Sequence, residues 1–382
     1  MTGWNRTGRR VAAAGVAGVV LLATSALGLA GSRPARASAS GVAKAEAAIK
    51  AAEQMPKLLP IGPHVDMAKL RKQLGGKKIW VLTSALNVPF VAAIVQGIQQ
   101  AAKVAGLNVL VLDGQGNVAK WNSDLEQAVS EHAPAVISVA ASPVVMKSGM
   151  AKAKAAHIPV IDVLTADQAS PLVPGTYAHV SISFYRSGEL QADYVIAQSH
   201  GKANVLIFGD NEFPGEVTRV QGMEHQFHAL CPACHVTVKD TQVASLATQL
   251  PSLTQTLLRR NPSITWVLPT YDAQAVYIVP AIRQMGLSKT VHVVSSDAVP
   301  SNLQWVKQGN VETADVGEPD IWTGWASIDE IARALLGMRP VTEPIPLRLF
   351  IQSNMKTLSP NNEYQLWGGK FQHAYETVWG VH

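Results

Sequence analysis

The stretch that decides the fold runs over residues 77–113, KKIWVLTSALNVPFVAAIVQGIQQAAKVAGLNVLVLD. Residues 79–82 are an apolar run that suits a strand buried on both faces, and a turn over 83–88 follows it. Pro89 is typical of a first helical position, and Gly106 ends the helix. Between them, apolar residues recur at helical spacing at Phe90, Ile94, Ile98 and Ala101. Residues 109–112 form a second strand, so the stretch predicts a β-α-β unit with the turn over 84–90 at a ligand cleft.

The same alternation of short apolar runs and helical patterns continues through the chain. Strands are predicted at 135–139 and 160–163, with helices at 120–132 and 146–156, and a second series of such units follows from residue 185. A chain of 382 residues is too long for one typical core. The pattern therefore predicts an α/β protein with two doubly wound parallel-sheet lobes rather than one barrel.

The N-terminus has the composition of an export signal. Arg6, Arg9 and Arg10 precede an uncharged run over 11–30, and small residues over 35–37 suit signal peptidase, which predicts a signal peptide at 1–37. The paired arginines leave the twin-arginine route open, and the length of the run leaves an uncleaved membrane anchor open. No cysteine lies near the cleavage region, so a lipid-modified N-terminus is excluded.

The charge of the chain lies in that signal. Residues 1–37 carry five Arg and no acidic residue, which accounts for the whole formal net charge of +5. The remaining chain is neutral overall, and its composition gives no reason to expect binding of DNA or RNA.

Residues 38–76 are predicted to form a helical and Pro-rich leader. An Ala/Lys/Glu-rich segment over 42–54 predicts one exposed helix, which Pro56, Pro60 and Pro63 end. The rest is expected to be extended, either as a spacer from the membrane or cell wall or as a loosely packed segment without a role.

The sharpest local motif is Cys231-Pro-Ala-Cys234-His235, which contains the only two cysteines of the chain. Its spacing matches the motif that attaches haem in exported cytochromes, and the nearby His225 and His228 leave a zinc cluster open. A structural disulfide between the two cysteines is the favoured interpretation in an exported protein, and a redox role also stays open.

Other motifs give no support for an enzyme. Residues 114–119 satisfy G-x-G-x-x-A, but the first strand-to-helix turn has no glycine, so a surface turn is favoured over a dinucleotide site. No G-x-S-x-G elbow, H-E-x-x-H helix or P-loop occurs in the sequence. We therefore predict a protein without catalytic residues, cofactor or metal.

Three residues follow predicted strands and are candidates for ligand contact: Tyr271, Asp272 and Asp297. Asp272 suits the N-cap of the helix that follows it. Asp297 is too far from the next helix for that role, and its carboxylate can accept hydrogen bonds from two ligand hydroxyls. The rings of Phe90 and Tyr271 can stack on a flat ligand face.

Over residues 77–353 the chain resembles the exported ribose- and galactose-type substrate-binding proteins that deliver sugars to ABC transporters. The resemblance depends on the order and spacing of several short segments rather than on one motif. They are residues 86–90, Gly97, 105–108, Asp113, 158–161, 187–188, 261–262, 271–273, 296–297 and 318–320. It implies two α/β lobes joined by three crossover segments near Val180, Val316 and Pro346. The N-terminal lobe would hold 77–179 plus 317–346, and the C-terminal lobe 180–316 plus 347–382.

The resemblance also implies binding residues. The ring-stacking aromatic falls on Phe90 and the hydroxyl-binding Asp on Asp297. Other family positions fall on residues that differ in type from the family's: Val88, Val91, Leu164, Thr165, Val217, Tyr271 and Gly317. Such a cleft lacks most of the fork donors that hold a free sugar, which favours a less polar ligand. A sugar could still be held by other residues, namely Asn87, Asp210, Asn211, Glu212 and Trp322.

The resulting functional prediction is a bacterial, exported solute receptor of the periplasm or extracellular cell envelope. Its partners would be a small-molecule ligand and an ABC transporter permease, with membrane contact only through the permease or an uncleaved signal anchor. Two alternatives stay open: a ligand sensor for a membrane receptor, and an exported redox or haem protein built on Cys231, Cys234 and His235. The related lac-repressor-type regulators are excluded, because the N-terminus is an export signal and not a helix-turn-helix.

Overall fold

The computed structural model describes residues 35–58, 61–341 and 344–381. The predicted signal run over 11–30, with its alternative as a membrane anchor, lies outside the described residues. Within them, no helix is both long enough and apolar enough to cross a bilayer.

Eleven strands alternate with fourteen helices over the described part of the chain. The strands are β1 Lys78–Thr83, β2 Asn108–Asp113, β3 Val136–Val139, β4 Val160–Val163, β5 Thr176–Val180, β6 Asn204–Gly209, β7 His235–Asp240, β8 Trp266–Pro269, β9 His292–Asp297, β10 Glu312–Gly317 and β11 Arg348–Ile351. The helices up to α7 are α1 Ala35–Ala52, α2 Met67–Leu74, α3 Pro89–Ala105, α4 Val118–Ser130, α5 Lys147–Ala155, α6 Phe184–Gln198 and α7 Pro214–Leu230. The others are α8 Leu246–Arg260, α9 Asp272–Gln284, α10 Pro300–Gln308, α11 Asp320–Leu335, α12 Gln352–Met355, α13 Glu363–Trp367 and α14 Lys370–Trp379.

Local signals set the helix bounds. Pro89 opens α3, and Gly106 ends it with a left-handed φ of 66° while its N–H bonds back to the helix. Ser183 caps α6 by accepting from the Arg186 N–H, and Asn117 caps α4 in the same way. The predicted β-α-β unit over 77–113 is therefore confirmed.

The strands form two sheets, each at the centre of one lobe. The first lobe has the order β2-β1-β3-β4-β5, and the second has β11-β10-β9-β8-β6-β7. All pairs are parallel except β10–β11. Residues 176–180 form the fifth strand of the first sheet, which the sequence analysis did not predict, and the crossover expected near Val180 follows that strand. The chain passes between the lobes after β5, after β10 and before β11, so the prediction of two doubly wound lobes joined by three crossover segments is confirmed.

In each lobe, two helices pack closely at glycine residues. Gly97 of α3 lies against the backbone of α11 at Ile321, and Gly324 of α11 lies against Ile94 and Ile98 of α3. In the second lobe, Gly188 of α6 lies against the backbone of α7, and Gly222 of α7 lies against the backbone of α6. A methyl group at either glycine would collide with a backbone oxygen of the other helix. This close approach sets the position of α7 over the second sheet.

The leader differs from its prediction as an exposed helix and an extended spacer. Helix α1 begins earlier and packs on α6 and α7 of the second lobe, where Ala45 and Ile49 are buried. A second helix, α2, packs on α11 of the first lobe through buried apolar residues at helical spacing. The apolar residues of both helices explain the difference, because they give each helix a face that gains from burial.

The C-terminal segment also divides between the lobes. Strand β11 lies in the second sheet, but α14 packs on the first lobe, where Phe371, Tyr375 and Trp379 join its core. The Trp379 ring stacks on Trp325 of α11 at 5.4 Å. The predicted boundary placed all of 347–382 in the C-terminal lobe, and the packing of α14 departs from it because its aromatic face is complementary to α11.

Candidate functional site

Four polar residues follow the carboxyl ends of four neighbouring strands of the second sheet. They are Asp210 after β6, Tyr271 after β8, Asp297 at the end of β9 and Glu318 after β10. Carboxyl ends of parallel strands meet at one edge of a sheet, which is where open α/β sheets bind ligands. The edge is strongly acidic, since three of the four side chains are carboxylic acids and all three are buried.

A buried arginine, Arg219, lies at the centre of this edge. It is on α7, one turn after Glu216, and its Nη1 donates to Glu216 Oε2 at 2.9 Å and to the Thr270 carbonyl oxygen. The same nitrogen lies 3.7 Å from Asp297 Oδ1. The guanidinium also covers the face of the Phe184 ring at 4.8 Å. Its Nε is buried and has no hydrogen-bond partner.

Asp297 is held in an unusual backbone conformation. Its φ is 120°, and the next residue, Ala298, has a φ of 62°. Residues other than glycine rarely adopt such φ values, and strained residues of this kind cluster at functional sites. Its Oδ2 accepts from the Asp272 N–H at 3.3 Å. Burial, followed by the charge of Glu318, raises the pKa of Asp297 well above its ordinary value, while Arg219 opposes that rise.

Asp210 and Tyr271 form a second polar pair at the edge. The Tyr271 hydroxyl donates to Asp210 Oδ2 at 2.7 Å, and the Glu212 N–H donates to Oδ1. Burial is the main cause that raises the pKa of Asp210 to about 6. Asn211 and Glu212, named as possible sugar contacts, lie on the exposed turn after β6, and Glu212 Oε2 accepts from the Val243 N–H.

A layer of carboxyl groups lies behind Asp297. Oxygens of Asp272, Glu312 and Asp315 lie within 4.8 Å of one another, and all three residues are buried. Asp272 accepts from the Val299 N–H and Asp315 from the Ala298 N–H, which leaves one oxygen of each without a partner. Burial and mutual repulsion raise the pKa of Asp272 well above its ordinary value. Groups in this state share protons rather than carry three full charges.

This geometry corrects the prediction for Asp272. Tyr271 occupies the N-cap of α9, and it makes no side-chain capping bond. Asp272 is the first helical residue, and its carboxylate binds the Val299 N–H of the neighbouring loop instead. The residue therefore ties the loop after β9 to the start of α9.

Glu318 is the most weakly satisfied acid of the edge. It is 4% exposed, and its Oε2 has no hydrogen-bond partner. Burial raises the pKa of Glu318 to about 8, against the attraction of Arg219 and with the repulsion of Asp315 and Glu216. Asp320, two residues later, also has a buried oxygen without a partner.

The contacts predicted at the carboxyl edge of the first sheet are uncharged residues. Asn87 is exposed, while Val88 and Phe90 are half-buried at the start of α3. Leu164 and Thr165 follow β4 and are buried, and the Thr165 hydroxyl donates to Asp162 Oδ1 at 2.6 Å. Leu164 has a φ of 55°, another strained backbone at a strand end.

The two edges face each other. The Gly215 N–H at the start of α7 donates to the Thr165 carbonyl oxygen at 3.1 Å, which joins the second lobe to the first. The ring of Phe184 packs against Gly215, so the start of α7 is enclosed between the loop after β4 and the first residue of α6. The residues predicted from the sequence at Leu164, Thr165, Tyr271 and Asp297 therefore lie at two facing edges.

Two predicted contacts differ in position. Val217 is only half-buried, and Arg219 lies two residues further along α7. Two residues turn a helix by about 200°, so Val217 and Arg219 point to opposite sides. Trp322 is buried in the first lobe, where its ring stacks on Phe371 at 5.3 Å. Arg219 was missed, and the signal for it was its spacing of three residues from Glu216 on one helix face.

The cysteine motif lies apart from this site. Cys231 ends α7 and is bonded to Cys234, with the Cα atoms 5.4 Å apart, and His235 starts the edge strand β7. Cys231 is buried against α1 and α6 residues in the core of the second lobe. Both sulfur atoms take part in that bond, so the structure contains the expected disulfide.

Comparison with known proteins finds related sequences. The chain is 23% identical to the ribose import binding protein of Bacillus subtilis over 279 residues, which is 72% of this chain and 88% of that protein. The ribose import binding protein of Escherichia coli is also 23% identical, over 72% of this chain and 90% of its own length.

Solved structures with this fold cover nearly all of their own chains. The myo-inositol binding protein of Caulobacter, solved with myo-inositol, has a TM-score of 0.65 at 23% identity and matches 74% of this chain and 96% of its own. An ABC transporter solute binding protein from Agrobacterium vitis, bound with α-D-tagatopyranose, has a TM-score of 0.67 at 18% identity, with coverage of 74% and 96%.

The family model for the periplasmic binding protein domain matches residues 79–338, which span the first lobe from β1, the second sheet up to β10, and α11. On the strength of that match and of the two facing sheet edges, the chain belongs to the periplasmic binding protein domain family.

Proposed function

We propose that this protein is the exported solute-binding component of an ABC import system, and that it captures a polyhydroxylated small molecule between its lobes. The observation that carries the proposal is the buried Arg219–Asp297 pair at the carboxyl edge of the second sheet, which faces the first lobe across the Gly215–Thr165 hydrogen bond. The relatives named for ribose import, and structures solved with myo-inositol or tagatose, support a sugar or cyclic polyol as the ligand class.

The side chains suit such a ligand. A carboxylate accepts hydrogen bonds from adjacent hydroxyl groups, and a guanidinium donates to hydroxyl or ring oxygens. Asp297 supplies such an acceptor, and the unpaired Nε of Arg219 supplies such a donor next to it. Phe90 on the first lobe supplies an apolar ring for the carbon face of a sugar. A ligand that contacts both lobes favours the closed form through those additional contacts.

Export and the disulfide are part of this proposal. The sequence of residues 1–37 has the pattern of a secretory signal, and an oxidising compartment keeps the Cys231–Cys234 bond intact. The permease then receives the closed, ligand-bound protein at the membrane.

The test is ligand-dependent thermal stabilisation of the purified protein against pentoses, hexoses, inositols and aromatic acids. A ligand that binds only the native state raises the melting temperature by mass action. Asp297→Asn and Arg219→Lys should each weaken binding of the active compound by about 10- to 100-fold, the equivalent of one charge-assisted hydrogen bond. Glu224→Gln and Arg259→Lys change exposed residues in the same way and should leave affinity unchanged. Equal affinity in all four variants would contradict the site, and stabilisation only by aromatic acids would contradict the ligand class.

A further inference from the structure

The binding edge holds more carboxyl groups than its one guanidinium can pair with. Four acids surround or adjoin Arg219: Glu216 and Asp297 contact it directly, and Glu318 and Asp272 act on it electrostatically. Among the described residues near this edge, no second basic side chain pairs with these acids. Asp210 adds a further carboxyl group at the end of β6.

The facing loops of the first lobe do not supply the missing positive charge. The turn over 84–90 and the loop over 140–146 contain no charged residue, and the loop after β4 contributes Asp167. Asp167 itself accepts from the Ala169 and Tyr185 N–H groups, so it is occupied within its own loop. The facing loops therefore add no basic side chain that could pair with the acids of the second lobe.

Glu318 is the acid of this edge that lacks a partner. Asp210, Glu216 and Asp297 each accept at least one hydrogen bond or contact Arg219, whereas Glu318 Oε2 is buried and has no partner. A buried carboxylate without a partner is costly, and the structure keeps one at the strand end where a ligand binds. Its neighbour Asp320 presents a second unpartnered oxygen on the same crossover segment.

From this arrangement we infer that the ligand is cationic: a sugar or cyclitol that bears a protonated amine, whose ammonium group binds Glu318 while its hydroxyls bind Asp297 and Arg219. This inference rests on the proposed function, since it names the ligand class of the same cleft. An ammonium group has three donors and matches several carboxylate acceptors at once. Burial raises the pKa of Glu318, and a bound cation would lower it again by favouring the ionised form.

The test compares matched pairs of compounds that differ by one amine. The pairs are D-glucosamine with D-glucose, D-galactosamine with D-galactose, and an inosamine with the corresponding inositol. Calorimetric titration of the purified protein at pH 6.5 keeps the amines protonated. The amine-bearing member of one pair should bind at least about tenfold more tightly, as expected for one charge-assisted contact. Binding should also release about one proton, because Glu318 ionises on contact, whereas the neutral member should release none.

Two variants locate the effect. Glu318→Gln should reduce the affinity ratio within the pair by about tenfold. Glu224→Gln, which makes the same exchange at an exposed position on α7, should leave the ratio unchanged. Proton release in the wild-type protein tests the same contact without a substitution. Tighter binding of the neutral members, or amine binding without proton release, would overturn the inference and leave the proposed function intact. The absence of binding by every sugar and polyol, neutral or aminated, would instead overturn the proposed function and with it the inference.

Discussion

The buried acids predict an unusual dependence of stability on pH in the ligand-free protein. Glu318 has an ordinary pKa of 4.5, and burial raises it to about 8 in the folded state. Between those values the folded protein holds a proton that the unfolded chain has released. The free energy of unfolding is therefore highest below pH 4.5 with respect to this group and falls as the pH rises to 8. Each pH unit is worth about 1.4 kcal/mol per group, so the full contribution is on the order of 5 kcal/mol.

Urea denaturation of the wild-type protein at pH 6, 7 and 8 measures this slope. Glu216 and Asp315, each with a pKa that burial raises to about 7, add to it between pH 6 and 7. Stability should therefore decline steadily from pH 6 to 8, and Glu318→Gln should make the decline shallower by up to about 1.4 kcal/mol per pH unit. The exposed control Glu224→Gln should follow the wild type. A wild-type protein as stable at pH 8 as at pH 6, or a Glu318→Gln slope equal to that of the wild type, would refute the reasoning.

Three further substitutions test the packing that supports the site. Gly222→Ala should cost about 1 to 3 kcal/mol in urea denaturation and weaken ligand binding, because the added methyl group forces α7, and with it the site arginine, away from α6; full stability with unchanged affinity would show that the helices can separate freely. Trp325→Ala removes a fully buried ring stacked on Trp379 and should cost about 3 to 5 kcal/mol by thermal or urea denaturation; a loss below about 1 kcal/mol would mean that α14 adds little to the first lobe. Replacing Cys231 and Cys234 by Ser should cost about 2 kcal/mol, as expected for a short loop, and leave ligand affinity unchanged, since the pair lies at the far end of α7; loss of binding would indicate a functional role for the motif.

The two series of β-α units could be predicted because the signals for them are local, whereas the three crossings came from the family resemblance. Apolar runs of four to six residues, a proline at the first helical position and a left-handed glycine at the end define units such as β1-α3-β2 without reference to the rest of the chain. Strand β5 was missed because Thr176 and Tyr177 interrupt the apolar run and the strand is stabilised by pairing with β4. Helix α2 was missed because its apolar face is only three residues, and α11 completes its burial.

The site also contains residues that local signals predict and residues that depend on tertiary packing. Asp297 and Tyr271 could be predicted because each follows a recognisable strand, and strand ends converge at a sheet edge. Arg219 reaches that edge from a helix, so its position depends on how far α7 is turned about its axis. The close packing of α7 on α6 at Gly188 and Gly222 sets that rotation. An error of two residues along a helix turns the side chain by about 200°, and this is the difference between Val217 and Arg219.

The acid layer could not be predicted from the sequence at all, and it changes what the cleft is expected to bind. Glu312 and Asp315 lie in a short strand, and their burial depends on partners distant in the chain. Asn302 and Ser295 donate to Glu312, and the Ala298 N–H donates to Asp315. Without that layer, the substitutions at Val88 and Leu164 suggested a ligand less polar than a sugar. With it, the carboxyl edge of the second sheet holds more carboxyl groups than Arg219 can pair with. A ligand that neutralises Glu318 would relieve the same buried charge that lowers stability at high pH, so ligand binding and the pH dependence of unfolding should be linked through that one residue.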